Sequence, residues 1–438
     1  MAEAATSTGT KADPPRFWWL KRLTVGLVMW LAAVVGLRYL AAEMVGARLR
    51  TEIGKIKASG EPIEPSDFAE PRLSEEENAA AYLERAGLMI RIDPQEKPVW
   101  DFLPQSRAYS GAQLPVVEAV LKRNETALKM VRQARGKNRA AWGVMTRDFV
   151  FWQQLRVMYN SDILDVAANY AHQQGRDDEA VEYLRDLLML ASALDQEPLL
   201  PAAALAAGTR EWSALSASAM AATLQINVSG KPPKPHAASE EQVRKLIDEL
   251  LDERQSPRSG LHWLFQAERM WQQEYVRVNV DHPDWRQASI RHLWSWTKLT
   301  KLRIWLLRPM FKRDAIRLLR ISDDALAAER QSDYLAALRR LGPAGTIKRS
   351  TNPLGLELVS GAVADYQWMF YRYHSVSQKR RQGAVKLAER LFEVKNGRLS
   401  QPVELVPDYL SSLPLDPLSA GWTVAGTPAP PTTAPSKN

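Results

Sequence analysis

Apolar residues fill nearly every position of residues 23–42, where Arg38 is the one charge, and the flank before them, Arg16-Phe-Trp-Trp-Leu-Lys-Arg22, is basic and aromatic. A helix of about 20 such residues matches the ~30 Å hydrocarbon core of a bilayer. Trp18, Trp19 and Tyr39 stand where interfacial aromatics stand. The pattern predicts a transmembrane helix. Arg38 falls near its far end, where a long cationic side chain can snorkel to the interface. A cleaved signal peptide fits less well, because the run ends with Tyr39 and Leu40 where a cleavage site needs small residues. Beyond Glu43, the positions of Met44, Val45, Leu49 and Ile53 continue the helix.

The next break is Ala58-Ser-Gly-Glu-Pro-Ile-Glu-Pro65, whose two prolines cannot continue a helix and predict an extended stalk. Ser74-Glu-Glu-Glu77 has capping-box form and predicts a helix start at Ser74, with Pro94 and Pro98 breaking that helix. From Pro115 to about Thr223 apolar residues recur every three or four positions, as amphipathic helices require. The clearest case is an antiparallel hairpin over residues 163–194. Ile163, Val166, Ala167 and Tyr170 stripe its first helix, Gly175-Arg-Asp-Asp178 turns the chain, and Ala180, Leu184, Leu187 and Ala191 stripe the second, with Asp177 or Asp178 as its cap. Gly175 and Ala180 resemble the inner part of a tetratricopeptide repeat. No second copy follows at those offsets, so a plain helical hairpin is the expectation.

Residues 226–238 contain three prolines and Gly230 and read as a linker. Ser239-Glu-Glu-Gln242 is a second capping box, and helices are predicted over 243–253, 260–276, 288–307 and 313–341, with a long final helix reaching Lys395. The fold class is therefore all-α: a transmembrane helix, a multi-helix region with helical hairpins, and a short irregular C-terminal segment open to β structure. The domain map is a basic tail (1–22), the span (23–42), a stalk (43–73), a hairpin region (74–225), the Pro-rich linker (226–238), a second helical region (239–396), a Gly/Pro-rich segment (397–422) and a tail (423–438). That tail is rich in Pro, Thr and Ala, has nothing to bury and is expected to be disordered.

Composition narrows the picture. The 438 residues are 45% hydrophobic and 25% charged, ordinary for a globular chain with a sizeable core. Fifteen tryptophans are many; Trp142, Trp152, Trp212, Trp263 and Trp271 fall in helical patterns and are expected to pack. A net charge of +8 mixed with many acids argues against specific nucleic-acid binding and suits a protein beside an anionic bilayer. Zero cysteines removes disulfides, thiolate metal sites and cysteine nucleophiles together. A basic tail of about 20 residues normally stays in the cytoplasm, which predicts a single-pass protein of the bacterial inner membrane, N-terminus cytoplasmic and bulk periplasmic.

One stretch near the C-terminus carries a resemblance. Leu387-Ala-Glu-Arg-Leu-Phe-Glu-Val-Lys-Asn-Gly-Arg-Leu399, then Leu405-Val-Pro-Asp-Tyr-Leu410 and Leu413-Pro-Leu-Asp-Pro417, is similar to the C-terminal region of large, uncharacterised bacterial single-span membrane proteins. It is more loosely similar to the tails of type II secretion pseudopilins. The stretch from Pro62 to Ala80 and the Asn352-Pro-Leu-Gly355 segment resemble the same uncharacterised family. The resemblance implies a membrane-anchored architecture and no transferable activity. The pseudopilin pattern also fails at the other end, since Lys21-Arg-Leu-Thr-Val-Gly-Leu27 has neither a Phe after a Gly nor a Glu early in the apolar helix. The tail motif reads structurally as well: Gly397 can stop a helix in the left-handed conformation.

No phosphate loop, dinucleotide fingerprint, His-Glu-x-x-His or Gly-x-Ser-x-Gly elbow occurs, and no two of the six histidines lie three to five residues apart. Catalytic, cofactor-binding and metal residues are therefore all expected to be none, and no cofactor is implied. Asp281-His-Pro-Asp284 is the nearest polar constellation, read as a turn whose Asp284 caps a helix; Glu240-Glu241 and Asp323-Asp324 read as helix-start charges. Residues 286–320 are more unusual, with many cations interleaved with tryptophans against the single acid Asp314. A solvated basic helix explains much of this. Its candidate function is contact with an anionic surface through Arg303, Trp305, Arg308, Lys312 and Arg313. The sequence thus favours a membrane-anchored helical scaffold or interaction protein of the cell envelope, partnered by the bilayer and by an envelope protein. Its rivals are an accessory component of a secretion or pilus-like system and an enzyme whose site is assembled from distant residues.

Overall fold

A computed structural model describes residues 17–68, 73–96, 108–137, 139–142, 150–197, 199–252, 260–277, 298–331, 334–341 and 355–418. Among them are twelve α-helices and two short strands, so the fold is all-α. The helices are α1 (Trp18–Ala58), α2 (Ala79–Met89), α3 (Leu114–Arg123), α4 (Glu125–Ala134), α5 (Val150–Gln173) and α6 (Asp177–Leu194). They continue with α7 (Leu200–Met220), α8 (Glu240–Leu251), α9 (Gly260–Val276), α10 (Lys298–Glu329), α11 (Tyr334–Leu341) and α12 (Gly355–Asn396).

The predicted hairpin is α5 and α6. Ile163, Val166, Ala167 and Tyr170 on one helix and Ala180, Leu184, Leu187 and Ala191 on the other are all buried. Gly175 makes the turn at φ 72°, and the Arg176 N–H reaches back 2.8 Å to the Ala171 carbonyl, the long-range bond of a Schellman stop. Neither predicted aspartate caps α6. Asp177 is already the first helical residue, and its carboxylate is buried against another segment instead.

The main core joins α2, α4, α5, α6, α7, α8 and the C-terminal half of α12. Alanine-rich α7 lets α12 approach closely: a Cβ at Gly383 would lie 3.0 Å from the Ala214 carbonyl oxygen. A second core sits where Ala203 of α7, Leu261, Leu264 and Phe265 of α9, Leu318 and Leu326 of α10, and Tyr366, Met369 and Phe370 of α12 meet. At 42 residues, α12 is ~63 Å long and serves both cores. Gly397 stops it at φ 73°, as predicted, and Leu405 and Leu410 then turn back into the main core.

Several sequence expectations need correction. The Pro-rich linker is not a free connector: its ends pair as parallel strands, Ile226–Asn227 against Ala238–Ser239, and Ile226, Val228 and Ala238 join the main core. Ser239 does form the expected capping box with Gln242. Ser74 does not start a helix; its hydroxyl bonds the Glu77 carboxylate in a turn, and Asn78 caps α2. Pro309 lies inside the single helix α10 rather than between two helices. Proline there costs about 3 kcal/mol, which burial of Phe311, Ala315 and Leu319 just beyond it offsets. Asp323 and Asp324 consequently lie within α10, not at a helix start. The Asp281-His-Pro-Asp284 segment, residues 288–297 and the C-terminal tail from residue 419 lie outside the described residues.

A candidate juxtamembrane cleft

At 41 residues, α1 is ~62 Å long, about twice what a bilayer core requires. Its two halves behave differently. Leu23, Leu27, Met29, Trp30, Leu37 and Leu40 are exposed on every side of the first half, so none of the other described residues covers it. It is long and apolar enough to cross a membrane. Past Arg38, a stripe of Ala42, Gly46, Leu49 and Ile56 is buried, with Leu49 and Ile56 packing on Phe311, Ala315 and Leu319 of α10.

The predicted stalk is folded onto the body. Gly60 ends α1 at φ 77°. The Asp67 carboxylate then accepts the N–H groups of Ile63 at 3.0 Å and Glu64 at 2.8 Å, and these bonds hold its pKa below the usual carboxylate range. That turn delivers Phe68 to Trp263, ring centroids 4.6 Å apart. Arg269 of α9, with 0% of its side chain exposed, locks the segment: it pairs with Glu61 at 2.8 Å and Asp323 at 3.2 Å and donates to the Pro62 carbonyl at 3.2 Å. Burial raises the Asp323 carboxyl and the Arg269 charge opposes that shift.

Between α1, this segment, α9 and α10 lies a cleft of about 450 Å³. Leu49, Ile53, Ile63 and Met270 form its apolar wall, and Arg50, Arg277, Lys312, Glu64 and Glu274 its charged one. Glu64 is paired with Lys57. The Arg277 guanidinium donates to Glu274 at 2.7 Å, which raises the arginine further. Lys312 is 5% exposed and reaches α1 at Gly46. A Cβ at Gly46 would sit 3.1 Å from Lys312 Nζ and 3.5 Å from Arg50 Nη1, so two cationic heads converge on the space that a missing side chain leaves. About two α1 turns before Gly46, at the far end of the span, Arg38 lies close enough to Arg308 for their charges to repel.

The predicted contact residues are therefore divided by the fold. Arg308 is partly exposed, Lys312 is buried against α1, and Arg313 points to solvent. Burial takes Lys312 off any outer surface, because α10 packs along α1 rather than standing free. The side chains of Arg303 and Trp305 lie outside the described residues. Sequence reading missed Arg50, Gly46 and Arg269 as partners of this region. A glycine in a helix often marks a close approach, but α1 also carries Gly26, Gly36 and Gly54, so the sequence does not single out Gly46.

Two polar groups of another kind lie elsewhere. His172 Nδ1 meets Asp177 Oδ1 at 2.5 Å and its Nε2 meets Thr223 Oγ1 at 3.0 Å, the order of groups in a nucleophilic relay. Here Asp177 also accepts the Gln225 N–H at 2.8 Å, and the Thr223 hydroxyl reaches the Met220 carbonyl at 3.4 Å. These bonds clip the ends of α5, α6 and α7 together. In the main core, burial pushes Asp165 up to about 6, opposed by the Ser216 hydroxyl that donates to it at 2.7 Å. Among the described residues no group of three or more His, Asp or Glu side chains is placed to hold a metal ion.

No protein-family model, curated protein or solved structure matches this chain. The functional reading rests on its own geometry.

Proposed function

We propose that this chain is a membrane-anchored helical scaffold or interaction protein of the bacterial cell envelope that acts through binding rather than catalysis. The observation that carries the reading is the continuity of α1. One unbroken helix runs from a stretch with every apolar side chain uncovered into a stretch packed on α10. An anchor joined by a flexible stalk would let the body tumble; an anchor continuous with a packed helix fixes its attitude to the bilayer. That rigidity suits a protein that presents a face to a partner in or beside the membrane. The inner membrane, with residues 1–22 cytoplasmic and the body periplasmic, is the location we assign from the basic tail.

Absence of native cysteines makes the test direct. Cysteines placed singly at Ser7 and at exposed Lys234 should react oppositely with an impermeant thiol reagent on intact cells, Lys234→Cys labelling and Ser7→Cys not. Reaction at Ser7 alone would reverse the orientation, and recovery of the full chain in the soluble fraction would end the anchored reading. A turnover activity lost on changing His282, Asp284 or His172 while the fold persists would end the non-catalytic one.

A further inference from the structure

We propose that the loop of residues 229–236 is a preformed polyproline ligand that docks into the aromatic, acid-rimmed groove of a proline-recognition module on a partner protein. The inference rests on the reading of the chain as an interaction protein and names the kind of partner it takes.

The sequence sets the conformation of the loop. In Lys231-Pro-Pro-Lys-Pro235 every residue is a proline, precedes one, or both. A proline ring holds φ near −65° and the residue before it is driven to an extended ψ. Pro232 is therefore fixed in both angles, Lys231 and Lys234 in ψ, and Pro233 and Pro235 in φ. These are the angles of a polyproline II helix, whose three residues per turn place Pro232 and Pro235 on one edge and Lys231 and Lys234 on another.

Long-range bonds then hold the loop from its ends. Ile226–Asn227 pairs with Ala238–Ser239 at the base. The Asn227 side chain grips Lys234 twice, Nδ2 donating to its carbonyl at 3.0 Å and Oδ1 accepting its N–H at 2.8 Å. Lys231 Nζ donates to the Val394 carbonyl in the last turn of α12. Lys234 to Ala237 form a tight turn, N to O 3.5 Å, with Pro235 second and His236 third at φ 58°. That third position favours Gly or Asn, and the Asp178 N–H secures His236 there by a 3.0 Å bond to its carbonyl.

This order serves no packing inside the chain, because residues 229–236 are all exposed. A loop kept only for stability gains nothing from histidine at a left-handed position; backbone held off its preferred angles by surrounding bonds is a mark of binding sites. Preorganisation removes an ordering cost that association would otherwise carry. Exposed proline rings on one edge are what an aromatic-lined groove takes, and the exposed Lys234 is complemented by acids on the groove rim.

The test uses the full chain in neutral detergent and, as probes, a panel of recombinant SH3 and WW domains with acidic or neutral groove rims, binding being read by biolayer interferometry. We expect the acid-rimmed domains to bind and the neutral ones to bind more weakly. Pro232→Ala should weaken binding on the order of ten-fold, the loss of one anchor. Lys234→Gln should weaken it about five-fold and flatten its salt dependence. Asn227→Ala leaves the prolines and Lys234 in place and should also weaken binding, by freeing the loop, with the circular dichroism unchanged. Lys129→Gln, at a side chain 70% exposed on another helix, should change nothing. If it weakens binding as much as Lys234→Gln, the attraction is diffuse charge and the loop is rejected as a ligand. Binding by no domain of the panel, or binding indifferent to Pro232→Ala, also rejects it. Attachment to phosphatidylglycerol vesicles that Lys234→Gln removes and Pro232→Ala does not, with no domain bound, would make the loop a membrane contact instead. Each of these failures leaves the anchored, non-catalytic reading in place, since that reading falls to soluble recovery of the chain or to a turnover activity.

Discussion

Around α6 and α7 a large interior of Leu and Ala from seven helices encloses a few acids, Asp165, Asp177 and Asp186, whereas around α1, α9 and α10 the apolar core is small and cations stand inside it. Arg269 is fully buried with two carboxylates and Lys312 is buried against a glycine. The first region is held by area removed from water, at roughly 25 cal/mol per Å². The second is held by a few directional contacts between segments far apart in sequence, such as Arg269 with Glu61. A core of many equivalent contacts tolerates small losses. A clamp of few contacts does not, but its failure stays local.

Leu184→Asp is the largest expected loss on this comparison. Leu184 is 1% exposed among Leu and Ala, and an uncompensated carboxylate there should cost about 4 kcal/mol or more, at the limit of single-residue effects. Thermal melting followed by circular dichroism should show global unfolding near working temperature. A melt within a degree or two of the parent would contradict the buried hairpin.

Arg269→Gln should cost less, about 2–3 kcal/mol, below the range for a fully buried pair because Asp323 still reaches solvent. The effect should be confined to the juxtamembrane region. Hydrogen exchange should rise in residues 61–68 and in the first turns of α9 while α6 stays protected. Uniform exchange over both regions would show that the two are one cooperative unit.

Asp165 tests the main region by pH. Its carboxyl is pushed up to about 6 by burial, against about 3.9 in an unfolded chain. The folded state therefore binds its proton more tightly, and this group penalises folding only once it ionises. The penalty is absent below about pH 4, grows between pH 4 and 6 and is complete above, at about 3 kcal/mol as an upper value. Asp165→Asn keeps an oxygen to accept from Ser216 and should be more stable than the parent at pH 7.5 but no more stable at pH 4. A constant difference across that range would place the effect outside the titration of Asp165.

The same contrast explains which elements were legible in the sequence. Periodicity locates elements whose burial is spread over many residues, so the α5–α6 turn, the end of α6, α9 and the end of α12 at Gly397 were readable almost to the residue, although α5 starts at Val150, well before the predicted start at Ile163. It cannot show a clamp, because Arg269, Glu61 and Asp323 are each ordinary helix or loop charges until folding joins them. Proline rules failed for a related reason: residues 58–65 and 226–238 read as loose connectors from local chemistry, yet Ile63, Phe68, Ile226 and Val228 gain enough by burial to dock both segments. The basic stretch of α10 was visible as charge, but which of its cations face α1 was decided by Gly46, some 260 positions away.

Helix caps give the smallest effects and the finest version of the comparison, since two capping-box motifs of the same form have different fates. Ser239 accepts the Gln242 N–H at 3.1 Å while Gln242 accepts the Ser239 N–H at 2.9 Å, at a helix whose Val243, Leu246 and Leu250 face the main core. The Ser74 hydroxyl donates to the Glu77 carboxylate rather than accepting the Glu77 N–H, which bonds the Ser74 carbonyl in an exposed turn. The first turn of α2 is served by Asn78, which accepts from Ala80 at 3.1 Å and from Ala141 at 2.8 Å and donates to the Ala141 carbonyl at 2.7 Å. Asn78→Ala should therefore cost the upper part of the cap range, about 1–2 kcal/mol, Ser239→Ala about 1 kcal/mol, and Ser74→Ala close to nothing. Chemical denaturation of the three variants orders them directly. If Ser74→Ala costs as much as Ser239→Ala, α2 begins at Ser74 after all, and the motif would outrank the long-range bond between Asn78 and Ala141 as the cause of its start.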